Sequence, residues 1–106
     1  MPKYLIKASY TVEGAKGILK EGGSGRRAMV QEMVGRIGGK LEVFYFAFGD
    51  ADAYVIADLP DAATAVALSL AVNASGAVGL STIPLLTPEE VDAAAKKSVA
   101  YRAPGA

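Results

Sequence analysis

The sequence contains no cysteine, no histidine and no tryptophan. Without cysteine there is no disulfide and no thiolate to act as nucleophile or metal ligand. Without histidine the chain lacks the commonest general base near neutral pH and the commonest metal ligand. An excess of charge of either sign is also missing, because 11 basic residues are balanced by 11 acidic ones. No basic field is available to neutralise a phosphate backbone, so nucleic acid is not an expected partner. No basic amphipathic helix suggests binding at a membrane surface. Long hydrophobic runs are absent: the longest nonpolar segment, Ala62 to Val72, contains Thr64 and Ser69 and is too short to span a bilayer. The opening "MPKYLIKASY" has too short an apolar core for a secretory signal and no small-residue cleavage site. These absences lead to the expectation of a cytoplasmic protein with no cofactor and no metal.

What is present is apolar and small. The chain has 106 residues, the size of one domain, yet 52% are hydrophobic and the mean hydropathy is +0.29. A domain this small has an unfavourable ratio of surface to volume. Some apolar surface is therefore expected to be buried against another chain.

Residues 3–10 ("KYLIKASY") alternate as a strand, with Tyr4, Ile6, Ala8 and Tyr10 on one face. Thr11 is a predicted helix N-cap. The following segment has helical spacing at Ala15, Ile18 and Leu19, weakened by Gly14 and Gly17. The run "KEGGSGRRAM" then interrupts it, and a second helical stretch carries Met29, Met33 and Ile37 with Val30 and Val34 beside them. Gly38 and Gly39 close it. In "KLEVFYFAFG" the alternation puts Leu41, Val43, Tyr45 and Ala47 on one side and Glu42, Phe44, Phe46 and Phe48 on the other. "GDAD" is a turn, and residues 53–59 form the partner strand. A largely nonpolar helix follows, with Pro60 near its first position and Asp61 in its first turn. Residues 77–86 make a fourth strand, where Pro84 indicates an edge or a bulge. "TPEE" starts a last helix, with Thr87 as N-cap and Glu90 as capping-box partner, running to about Val99.

The order β-α-β-β-α-β plus a C-terminal helix predicts an α+β fold of the ferredoxin-like kind, a four-stranded antiparallel sheet with both main helices on one face. Residues 1–100 read as a single domain and 101–106 as a tail. The uncovered sheet face would carry apolar side chains, which marks an interface. A homo-oligomer packed sheet against sheet is expected.

The candidate sites are few. Gly22, Gly23 and Gly25 permit unusual backbone shapes, Ser24 is a donor, and Arg26 and Arg27 suit phosphate or carboxylate. The run matches neither the P-loop nor the dinucleotide fingerprint. Ser24, Arg26 and Arg27 are therefore a candidate site for a small anion, set against a flexible break with solvated arginines. Asp50, Asp52, Asp58 and Asp61 supply oxygens, but not at cation-loop spacing. Glu42 beside three phenylalanines would be a general base if buried, and Tyr10, Tyr45 and Tyr54 are the polar strand residues that join it as weak catalytic candidates.

The landmarks "KYLIKASYTVEG", "GGKLEVFYFAFGDADAYVIADLPD", "ALSLAVNASGAV" and "LLTPEEV" together resemble the GYD-domain family of small bacterial and archaeal proteins. The resemblance covers most of the chain and implies a dimeric α/β-barrel type of ferredoxin-like fold. The signature region here reads Gly49, Asp50, Ala51, Asp52. The glycine and the final aspartate fit, but the tyrosine position holds Ala51, so no role tied to that tyrosine carries over. The resemblance implies no defined activity. Three functional readings follow from the sequence: an oligomer that binds a small anion, a cofactor-independent isomerase or oxygenase using Glu42 or Tyr54, and a purely structural assembly unit.

Overall fold

The computed structural model describes residues 1–106. Its elements are β1 (Lys3–Tyr10), α1 (Val12–Arg36), β2 (Lys40–Phe46), β3 (Ala53–Asp58), α2 (Ala62–Ala74), β4 (Val78–Leu85) and α3 (Pro88–Ala95). The sheet order is β2-β3-β1-β4, and every neighbouring pair is antiparallel. The fold is thus α+β, with one four-stranded antiparallel sheet and three helices. Pro84 lies on an edge strand, as its missing N–H requires.

One face of the sheet is covered. Tyr4, Ile6 and Ala8 of β1 and Ala53, Val55 and Ala57 of β3 are all buried. They pack with Val30 and Val34 from α1 and with Ala65 and Leu68 from α2. Val34 is 1% exposed and Leu59 is fully enclosed, each a side chain whose burial is worth about 1.5–3 kcal/mol. α1 lies over β1 and β2, and α2 over β4.

The expected stripe on α1 is rotated. Val30 and Val34 carry the burial, Met33 and Ile37 lie at its margin, and Met29 is exposed. In the first half, Leu19 is 87% exposed, and of the predicted trio only Ile18 is half-buried. That half is held by its start. Thr11 Oγ1 accepts from the Gly14 N–H, while the Thr11 N–H donates to the Ala77 carbonyl at 3.0 Å. A Cβ on Gly14 would sit 2.1 Å from that same carbonyl oxygen, so only glycine permits the approach.

The predicted alternation on β2 fails at its start, because a register shift between Leu41 and Val43 leaves Glu42 as the extra residue of a bulge. Leu41 thereby joins Phe44 against the core. Glu42 does not share the phenylalanines' face. Two cap assignments also shift. Asp61, placed in the first turn by the sequence, is the N-cap of α2 and accepts from the Thr64 N–H at 2.7 Å. α3 ends at Ala95 rather than near Val99, although its Thr87–Glu90 capping box is as predicted.

Register places Val43, Ile56, Leu5 and Ile83 in one row across the uncovered face. Tyr45, Tyr54, Lys7 and Ser81 form the next row. Lys3 closes the far side, bridging Glu42 at 2.5 Å and Asp58 at 2.9 Å. This face is a four-strand aliphatic stripe between two polar margins.

Candidate anion site beneath the α1 kink

The glycine run breaks α1 into two helical segments, as the sequence implies, and it does so at a single non-helical residue, Gly22, at φ 81° and ψ 165°. That region of backbone space is essentially restricted to glycine. Gly23 follows directly, and a Cβ there would lie 3.1 Å from the Phe46 ring. The kink thus seats the second half of α1 against the aromatic end of β2, where Phe44 and Phe46 meet edge to face at 5.1 Å.

The kink also sorts the candidate anion ligands. Ser24 and Arg27 are exposed and share a shallow depression with Gly23, Phe44 and Phe46. Arg26 turns elsewhere. It lines a cavity of about 40 Å³ between α1, α2 and the sheet, whose 13 other lining residues are hydrophobic. Its guanidinium lies 5.9 Å from the centroid of the Tyr10 ring, within cation–π range. Its Nε is buried and has no hydrogen-bond partner. None of the three salt bridges includes it. An unsatisfied buried donor costs about 1–3 kcal/mol, and more when charged. The structure therefore brings Ser24 and Arg27 together and separates Arg26 from both.

Residues 4–95 match the family model of the GYD domain. The chain belongs to the GYD-domain family. Neither the curated proteins nor the solved structures compared with it gave a match. In this GYD domain the acidic residues of the signature region have separate tasks. Asp52 accepts from the Tyr10 N–H at 2.8 Å through its carboxylate, and its own N–H donates to the Ala8 carbonyl at 2.8 Å. It fastens the hairpin to the end of β1. Ala51, at the tyrosine position, is buried at 3% exposure. Phe48 takes a positive φ of 98° to close the turn, an unusual conformation for a bulky residue. Asp58 pairs with Lys3 and Asp61 caps α2. The four aspartates do not converge on one point.

The weak catalytic candidates lie outside any enclosed pocket. Glu42 is exposed and ion-paired with Lys3. Tyr54 is on the uncovered sheet face beside Tyr45, with the Lys7 ammonium 5.9 Å from its ring. Tyr10 is the one strand tyrosine of the set that borders the cavity. Two groups have displaced titration. Hydrogen bonding to Glu42, then to Asp58, holds the Lys3 ammonium above its usual range. Hydrogen bonding from Thr64 holds the Asp61 carboxyl below its usual range. Neither borders the Arg26 cavity. Sequence reasoning named Arg26 but missed its inward course.

Proposed function

We propose that this GYD-domain protein is a cytoplasmic homo-oligomer that binds a small anionic ligand. The single observation that carries the ligand reading is the Arg26 Nε, a buried donor without a partner on a half-buried side chain at an apolar cavity. Buried donors are ordinarily hydrogen-bonded, and an anion supplies the acceptor. The reading of self-association rests on the aliphatic row Val43–Ile56–Leu5–Ile83, which no element of the same chain covers. Exposed patches of this kind mark interfaces. The strand order and the two helices over one face support a ferredoxin-like arrangement, and two such sheets stacked face to face would form the dimeric α/β-barrel type. No helix is long and apolar enough to cross a membrane. An isomerase or oxygenase using Glu42 finds no support in its setting, since Glu42 is exposed and ion-paired.

Native mass spectrometry of freshly purified protein, repeated under denaturing conditions, tests both parts. The expected result is an oligomer carrying extra mass that disappears on denaturation, and conversion to monomer by Ile56→Lys. A wild-type monomer overturns the assembly. An oligomer whose melting temperature is unmoved by every anion tested overturns the ligand reading.

A further inference from the structure

We infer that the ligand is a short-chain monocarboxylate, with its carboxylate on Arg26 and its tail in the cavity between the helices and the sheet. This rests on the anion-binding reading above and narrows it to a chemical class. Three observations select that class.

The first is size. The cavity of about 40 Å³ is only a few times the roughly 10–15 Å³ needed to hold one water, so the tail it takes is short. The second is lining. Val30, Val55, Leu68, Val72 and Leu80 offer no hydrogen-bonding side-chain group, so the enclosed part of the ligand is hydrocarbon. The third is charge. Arg26 also borders a surface cleft that holds Glu13 and Glu21. Neither glutamate forms a salt bridge with it. Their field nevertheless opposes additional negative charge at the guanidinium. A monoanion is favoured over a doubly charged phosphate. A guanidinium edge is also shaped for the two oxygens of a carboxylate.

Arg26 thus stands between the apolar interior and the acidic cleft, with one face toward each. A carboxylate entering from the cleft meets the guanidinium first, and its tail then displaces whatever weakly held water the cavity contains. The nearby Tyr10 ring restrains the guanidinium on the cavity side.

The test is titration of the full chain by calorimetry and by methyl NMR with four probes: sodium butanoate, 1-butanol, sodium octanoate and inorganic phosphate. Butanoate is expected to bind at least tenfold more tightly than 1-butanol and to shift the methyl signals of Val30, Val72 and Leu80. Octanoate, too long for the cavity, is expected to bind more weakly than butanoate. Arg26→Met is expected to erase the preference for butanoate over 1-butanol. If that variant does not fold, the comparison of the two probes on the wild-type protein still decides. Equal affinity for butanoate and 1-butanol overturns the pairing with Arg26. Phosphate bound at Arg26 with butanoate unbound overturns the monocarboxylate class and leaves the broader anion reading standing. If neither anion binds, both fall.

Discussion

Gly22 and Gly17 lie five residues apart on the same helix, and replacing each by alanine should move stability in opposite directions. Neither would bring a Cβ within 4 Å of another group, so sterics against the rest of the fold cancel from the comparison. At Gly17 the backbone is helical and the residue exposed. Gly17→Ala should stabilise by about 1 kcal/mol, the difference in helix propensity. At Gly22 the backbone sits at φ 81° and ψ 165°. Holding alanine there costs about 1–3 kcal/mol, offset by about 0.4–1 kcal/mol from the stiffer unfolded chain. Gly22→Ala should therefore destabilise by about 0.5–2 kcal/mol net. For a domain of this size each 1 kcal/mol moves the melting temperature by about 4–8 °C. Melts followed by far-ultraviolet circular dichroism, at one fixed protein concentration because the proposed self-association would shift apparent stability, separate the two variants easily. Should Gly22→Ala stabilise as Gly17→Ala does, α1 runs straight through without loss. The kink would then not be a requirement of the fold, and the placement of Arg26 would lose its cause.

Gly14→Ala drives a methyl group to 2.1 Å from the Ala77 carbonyl oxygen; overpacking of this kind costs about 1–3 kcal/mol, read as a lower urea midpoint with unchanged slope. Asp52→Ala strands the Tyr10 N–H and should cost about 1–3 kcal/mol, with faster amide exchange at Tyr10 as its local signature. Asp61 has its carboxyl pKa lowered on folding by hydrogen bonding from Thr64. Its ionised form stabilises the fold above the unfolded carboxylate value, and that contribution is lost as pH falls through the folded value. The stability gap between wild type and Asp61→Asn should therefore hold from pH 7 down to about 5 and close below the reference value of 3.8.

What was legible in the sequence was local. Thr11, Thr87 and Glu90 announce their caps because a cap is a contact between residues three apart. The alternation of β1 predicts its buried face, and Gly38 at φ 83° closes α1 as its position implied. What was hidden depends on register or on distant chain. The β2 bulge is a property of pairing with β3, and it moves Glu42 from the phenylalanine face to the Lys3 ion pair. The bond from Asp52 to Tyr10 spans 42 residues. The glycine run showed that the helix would break but not in which direction. How the second segment of α1 seats on the sheet decides which of the adjacent arginines, Arg26 or Arg27, borders the interior.

The two borders of the sheet limit how copies of the chain can add to one another. On β4 the Leu80 N–H is already taken by the Asn73 side chain at 2.7 Å. Strand alternation directs Thr82 and Pro84 the same way, and proline has no N–H to give. On the opposite border the β2 bulge breaks the even spacing of donors and acceptors that an incoming strand would have to match. Lateral growth, the route to ribbons and fibres, is thus obstructed at both ends. The stacking proposed across the aliphatic row uses neither border, and it would end once two faces have met.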